Sequence, residues 1–535
     1  MDIEDIYELL LEHFGWEPTE SQESVLEELA GFLADDNDQS LFLLKGFAGT
    51  GKTTLVNTLV KTLKALSQKV VLLAPTGRAA KVMTTYTAQR AFTIHKYIYQ
   101  AIDELGMFSF SLKDNKASDT LFIVDEASMI GEESVFGQGS LLSDLMEFVY
   151  VGDNCRLLII GDTAQLPPIH TPLSPALDSD RLSFVYHKEV IEGVLTDVVR
   201  QGRKSGILYN ATRLRKRIET FKDNFRMRIT PFKDMVLLEN ASEVQDALLE
   251  AYEESGVEET CFIVRANKRA VEYNQQIRQV AFEYDELLCV GDQLMVVKNN
   301  YLWAADTAGF IANGDTVEVL EIQSVERLYG NTFAHVLIRL LDYPHIDPFE
   351  AILLLDTLTS ANPSQTYEEQ NELYRAILQE YNKQTGFIAP LNIRTHPYYN
   401  ALQVKYAYAV TCHKSQGGQW EKVFVEKPYL PEGQSVAYFR WLYTAITRAK
   451  SKLILLGELQ AFDYATQHIG TARKTYLIER FSDLIENIEE NKQSISETAT
   501  SSTSEPSYIL TEENWDSIPA MIGITDADLK EIFGK

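Results

Sequence analysis

Cysteine is scarce in this chain. The 535 residues contain 4, Cys155, Cys261, Cys289 and Cys412, with no CxxC pair and no metal-ligand spacing. Neither a zinc site nor a disulfide framework is indicated, and a reducing compartment fits. No run of 18 or more apolar residues occurs, so the sequence offers no membrane-spanning helix. The start, MDIEDIYELLLEHF, is acidic where a secretory signal would be basic. A cytoplasmic protein without a membrane partner is expected. Basic residues are also in short supply: 49 Lys and Arg stand against 77 Asp and Glu, a net charge of -28. Taken as a total, that charge argues against a polyanionic partner such as nucleic acid.

The distribution changes that argument. Residues 1–40 hold 13 acids and no Lys or Arg, and residues 489–535 hold 10 acids and 3 bases, so the ends carry -13 and -7 and the 448 residues between them only -8. Within that middle, residues 200–228 hold 10 bases and 2 acids. At roughly 150 residues per domain the length suggests three to four domains. Hydrophobic residues at 45% and charged residues at 24% are ordinary globular values.

Short apolar runs alternate with helical patterns in the first two hundred residues: LFLLK at Leu41, VVLLA at Val70, LFIVD at Leu121 and LLIIGD at Leu157. Such runs suit strands buried on both faces of a parallel sheet, which makes the layout α/β. From Gly291 the texture turns β-rich and polar, with a helical insert around Tyr367 to Lys383, and α/β character returns near Tyr406. A β-rich module inserted into a second α/β domain is expected. The run SISETATSSTSEPS has linker composition, and Tyr508 to Phe533 beyond it is a candidate docking element.

Directly after the Leu41 run comes Gly46-Phe47-Ala48-Gly49-Thr50-Gly51-Lys52-Thr53, followed by Thr54 and a helix-forming stretch. This is GxxxxGK[ST] in the strand-then-helix context the motif requires. Its backbone N–H groups turn inward around phosphates, Lys52 supplies charge to the β and γ phosphates, and the Thr53 hydroxyl is a Mg²⁺ ligand. Asp125 and Glu126 end the Leu121 run; Asp125 suits the metal and Glu126 suits a general base for attacking water. After the Leu157 run, Gly161-Asp162-Thr163-Ala164-Gln165 brings an amide to where the γ-phosphate and water would be sensed.

Together with Thr19-Glu20-Ser21-Gln22, Ala74-Pro75-Thr76-Gly77-Arg78-Ala79-Ala80, Thr93-Ile94-His95-Lys96, Arg200-Gln201, Thr411-Cys412-His413-Lys414-Ser415-Gln416-Gly417 and Tyr443-Thr444-Ala445-Ile446-Thr447-Arg448-Ala449, this ordered series resembles superfamily 1B DNA helicases, the RecD-like and phage Dda-like branch with a UvrD/Rep-type C-terminal helicase domain. The resemblance runs over most of residues 15–460. It implies two RecA-like P-loop domains in tandem, with a small β-hairpin insert and an SH3-like β-barrel insert. The first domain would span 1–199, with a pin-like hairpin within 84–119. The second would span 200–290 plus 402–475, with the barrel insert at 291–401, its helical extension at about 345–390, and an acidic tail at 476–535 containing a flexible linker at 493–507.

The same resemblance implies ATP and Mg²⁺ in the cleft between the domains. The nucleotide site would comprise Gln22 on the adenine edge, Gly46 to Thr54, and Gly417. Arg448 first and Arg200 second would be supplied by the other domain to stabilise charge on the transferring phosphoryl group. Single-stranded DNA would contact Thr76, Thr93, His95, Thr411, His413, Lys414 and Ser415. Phe92 and Trp420 lie near these motifs and read as core residues rather than base-stacking platforms. The implied activity is a DNA-stimulated ATPase that moves 5′ to 3′ on single strands and unwinds duplex at single-strand/duplex junctions, acting as a monomer. An RNA or RNA–DNA hybrid motor is the alternative, and a non-catalytic nucleic-acid-binding adaptor a second. The cellular task, whether repair, recombination or replication, is not legible. A protein partner could dock on the acidic tail. Neither a nuclease region nor the N-terminal extension of long RecD-like proteins is expected.

Overall fold

The computed structural model describes residues 2–457 apart from 105–106, 133–138, 170, 199–203, 223–224, 301, 304–310, 344, 386–392, 429 and 431–432. Arg200, Gln201, the acidic tail, its linker and its docking element therefore lie outside the described residues.

The expected α/β architecture is present, with two parallel sheets and a closed barrel. The first sheet runs, from edge to edge, through Ala91–Thr93, Lys69–Ala74, Thr120–Val124, Arg156–Gly161, Ser40–Gly46 and Glu189–Leu195, all parallel. Its central strands are the apolar runs of the sequence, buried along their length because helices cover both faces. On one face Phe42, Leu44 and Leu158 meet Val56 and Leu59 of the helix Lys52–Ala65 and Leu26 and Phe32 of the helix Glu20–Ala34. On the other, Leu41, Phe122 and Ile159 pack on Leu145 and Phe148. Truncating a ring such as Phe122 to Ala would cost about 3–5 kcal/mol.

The second sheet comprises Ala409–Thr411, Thr260–Val264, Trp420–Glu426, Ala449–Leu456 and Met235–Leu238, again parallel, with Phe262 and Phe424 stacked at 4.2 Å. Between its second and third segments in sequence lies the barrel: Gln293–Val296, Thr316–Leu328, Asn331–Leu340, Phe349–Leu354 and Leu402–Tyr406. The long helix of this module is Tyr367–Thr385, where the sequence texture puts the helical insert, but Phe349–Leu354 is a barrel strand, so the extension at about 345–390 implied by the resemblance starts too early. The barrel is tied to the second sheet by a buried ion pair, Arg278 Nε to Asp292 Oδ1 at 2.8 Å. It also touches the first domain: Lys96 Nζ is 3.7 Å from the fully buried Asp315, and Lys81 Nζ donates to the Leu341 carbonyl at 2.8 Å. Between the first sheet's edge and its third strand, Tyr99–Glu104 and Met107–Leu112 pair antiparallel as a separate two-stranded sheet.

Candidate functional site: a phosphate-loop cleft between two sheets

Three adjacent strands of the first sheet end on one cleft. The phosphate loop leaves Ser40–Gly46, Asp162 leaves Arg156–Gly161, and Asp125 leaves Thr120–Val124. The loop turns into the helix Lys52–Ala65 at Gly51, whose φ of 93° strongly favours glycine. Lys52 Nζ donates to the carbonyls of Gly46 at 2.8 Å and Phe47 at 3.0 Å, so its charge sits over the loop. Thr50 is fully buried and its hydroxyl donates to the Phe47 carbonyl, whereas Thr53 and Thr54 are exposed at the helix start.

Asp125 is buried. Its Oδ2 accepts from the Tyr86 hydroxyl at 2.9 Å and its Oδ1 from the Glu126 N–H at 2.7 Å. Burial and the neighbouring charge of Glu126 push its carboxyl up to about 6. Glu126 sits at φ 55°, ψ 37°, an uncommon left-handed conformation for a side-chain-bearing residue, which is stored strain at the strand end. Gln165 is 4% exposed, its Oε1 3.5 Å from the Ser128 hydroxyl.

The second sheet closes the cleft. Arg448 Nη1 lies 3.9 Å from Glu126 Oε1, while its Nε donates to the Thr444 carbonyl and Nη1 to the Gly418 carbonyl. The turn that carries Gln165 is gripped by four side chains of the opposite half, three of them on the helix Val436–Ile446. Arg440 donates to the carbonyls of Thr163 and Gln165, Thr444 Oγ1 accepts from Leu166 N–H at 2.8 Å, Gln416 Nε2 donates to the Leu166 carbonyl at 2.7 Å, and the Tyr443 hydroxyl donates to Asp162 Oδ2 at 2.6 Å. Gly417 has φ 74°, and a Cβ there would lie 2.9 Å from Ala79 Cβ and Thr76 Oγ1, so the two halves meet closely at that point. The open cleft has a volume of about 830 Å³ and is lined by Lys52, Thr53, Asp125, Glu126, Gln165 and Arg448 among others, large enough for a nucleotide.

Gln22 is 3% exposed and both ends of its amide are used: Nε2 donates to the Thr50 carbonyl at 2.9 Å and Oε1 accepts from Thr19 N–H at 3.0 Å. It braces the phosphate loop here. The seven residues expected along a strand lie at the ends of first-sheet and second-sheet strands, but their hydroxyls turn inward. Thr76 and Thr93 cap helices, and Ser415, fully buried, donates to the Cys412 carbonyl. Thr411 is 8% exposed, and burial pulls His95 down to about 4, so its imidazole is neutral. His413 is exposed, and burial pulls the half-buried Lys414 down to about 8. Trp420 is 4% exposed under the Arg78 guanidinium at 4.0 Å, which fits a core role. Sequence reasoning assigned no role to Tyr86, Asp162, Gln416, Arg440 or Tyr443. Asp162, Gln416 and Tyr443 lay inside quoted motifs, while nothing in the sequence marks Tyr86 or Arg440.

The family described as an AAA domain matches residues 33–171, and the UvrD-like helicase C-terminal domain matches residues 406–456. The ATP-dependent RecD2 DNA helicase of Deinococcus radiodurans is 25% identical over 469 residues, covering 86% of this chain and 52% of that protein. The ATP-dependent DNA helicase dda of enterobacteria phage T4 is 24% identical over 447 residues, covering 76% of this chain and 92% of that protein. The chain is similar to both proteins over most of its length. It spans about half the length of RecD2. A crystal structure of Pif1 helicase from Bacteroides with ADP-AlF3 and ssDNA is similar at 15% identity and a TM-score of 0.42, covering 88% of this chain and 98% of that one. Among the described residues, no helix is long and apolar enough to cross a membrane.

Proposed function

We propose that the chain is an ATP-dependent DNA helicase that hydrolyses Mg·ATP in the cleft, moves 5′ to 3′ on single-stranded DNA and opens duplex at single-strand/duplex junctions. The observation that carries this reading is Arg448, which reaches from the second sheet to within 3.9 Å of Glu126, beside Lys52, Asp125 and Gln165 at the strand ends of the first. A site divided between two sheets couples chemistry to their relative motion, because each half contributes groups the reaction needs.

In this reading the loop amides and Lys52 hold the phosphates, and Glu126 takes a proton from the attacking water. Gln165 orients that water. Arg448 stabilises charge developing on the terminal phosphoryl oxygens, and Arg200 is a second candidate for the same task. Terminal phosphate binding would draw Arg448 away from Glu126 and free the carboxylate to act as base. Gln22 would meet the adenine edge by exchanging its bond to the Thr50 carbonyl. The Thr53 hydroxyl and the Asp125 carboxylate form an oxygen-only donor set suited to a hard divalent cation, and the crowding of Asp125 by Glu126 leaves a negative excess that such a cation relieves. Mg²⁺, when bound, would supply charge neutralisation at the β and γ phosphates. Gly417 brings the second half against the nucleotide site.

On the strand side, the segments carrying Thr76, Thr93, His95, Thr411, His413, Lys414 and Ser415 form the track. Lys414 and His413 offer their side chains, and the inward-turned hydroxyls shape the backbone beneath them. The antiparallel pair Tyr99–Leu112 is the pin, and a single chain suffices for movement. The test is ATP turnover with and without single-stranded DNA: strong stimulation in the wild type and its loss in Lys52→Ala support the reading. Turnover indifferent to nucleic acid, or stimulated more by RNA, contradicts it.

A further inference from the structure

Tyr443 makes a contact that the reading above does not use. It lies on the helix Val436–Ile446 of the second half and is 1% exposed. A buried phenol is costly unless its hydroxyl is bonded. Both bonds of this hydroxyl go to the opposite half. It donates to Asp162 Oδ2 at 2.6 Å and accepts from the Ala48 N–H at 2.8 Å. Asp162 is itself 1% exposed, and its other oxygen accepts from Ala164 N–H at 2.9 Å, one residue before Gln165.

Arg440, Thr444 and Gln416 also hold the Asp162–Leu166 turn. Tyr443 differs from them because one hydroxyl joins that turn to the phosphate loop. Ala48 N–H is one of the loop amides, the same class of donor that turns toward phosphate in such loops. A triphosphate entering the loop and the Tyr443 hydroxyl therefore address the same short stretch of backbone, and any shift of the loop is passed to Asp162 and from there to the turn bearing Gln165.

We propose that Tyr443 is a positioning residue for ATP hydrolysis, holding the phosphate loop and the Gln165 turn in one register with the second half so that the water-orienting amide keeps its place relative to the phosphates. The proposal rests on the ATPase reading. Tyr443 does not line the cleft and acts through Ala48 and Asp162. Removing the hydroxyl leaves the ring in place and disturbs the alignment of groups that act during the reaction, so it slows turnover more than it weakens nucleotide binding.

The experiment measures kcat and KM for ATP at saturating single-stranded DNA in the full chain. Tyr443→Phe is expected to lower kcat about tenfold or more while KM stays within about threefold, with a smaller loss in Thr444→Val, which cuts a bond to the same turn without touching the loop. Asp162→Asn, whose one oxygen is taken by Ala164 N–H so that an NH2 group faces Tyr443, removes the same acceptor from the other side should Tyr443→Phe fold poorly, and is expected to show the same split. The double variant should be no slower than the slower single one, because both act through one bond. Independent, multiplying losses, a wild-type kcat in a folded Tyr443→Phe, or an equal loss in Thr444→Val would overturn the role of Tyr443 alone. Absence of DNA-dependent turnover in the wild type would overturn both this proposal and the ATPase reading.

Discussion

At the residue scale, the arrangement around Glu126 makes the sharpest demand on chemistry. Its carboxylate faces Arg448 from across the cleft and its backbone is held in the left-handed region. Glu126→Gln should keep nucleotide binding and lower hydrolysis by about 10² to 10⁴, the usual weight of a positioned general base. Arg448→Ala should lower it by about 10³ to 10⁵. Single-turnover kinetics with separately measured nucleotide affinity checks both, and near-normal rates would remove these residues from the mechanism. Lys414 gives a second test with a definite sign. Burial lowers its pKa from the ordinary lysine range to about 8, so the ammonium loses its charge as pH rises through that value. Single-strand affinity should therefore weaken between pH 7 and about 9 in the wild type, and less in Lys414→Arg, whose guanidinium stays charged. Parallel profiles for the two proteins would show that Lys414 makes no charged contact. Lys52, Thr53, Asp125 and Glu126 were legible in the sequence because each belongs to a short motif with fixed spacing. Tyr443 and Arg440 were not, since their partners Ala48 and Thr163 lie hundreds of residues away and only the folded cleft brings them together.

At the scale of elements, the junction between the second sheet and the barrel depends on Arg278 and Asp292. Both are buried, and the same carboxylate also accepts from the Tyr408 hydroxyl at 3.2 Å and the Cys289 N–H at 2.8 Å. Asp292→Ala leaves the guanidinium buried without its partner and should destabilise this part of the chain by about 3–5 kcal/mol. Denaturant unfolding followed by a fluorophore on the barrel would register the change; an unchanged midpoint would mean the charge finds water instead. The strands of the first sheet could be read from their apolar runs, because a strand buried on both faces leaves a continuous signature. The barrel was legible only as a change of texture. Its strands alternate buried and exposed positions, and its register shifts within Thr316–Leu328 have no local sequence mark. The strand Phe349–Leu354 was likewise hidden ahead of the helix whose polar, periodic residues dominated that stretch.

At the scale of the whole molecule, the acidic amino terminus proves to be a folded element. The helix Ile3–Phe14 buries Ile6, Leu10 and Phe14 in the first core, and its Glu4, Asp5 and Glu8 face solvent. The acids of this helix therefore lie on an outer surface, and the total charge of -28 says little about affinity for DNA. What matters is whether the two halves, joined at Arg448, Tyr443 and Gly417, convert hydrolysis into directed movement along a strand. The direct measurement is ATP-dependent unwinding of matched duplexes bearing either a 5′ or a 3′ single-stranded tail, with DNA and RNA tracking strands side by side. The account predicts efficient unwinding from the 5′ DNA tail and its loss in Lys52→Ala. Efficient unwinding from the 3′ tail alone, preference for an RNA tracking strand, or no unwinding with ATP turnover intact would contradict it.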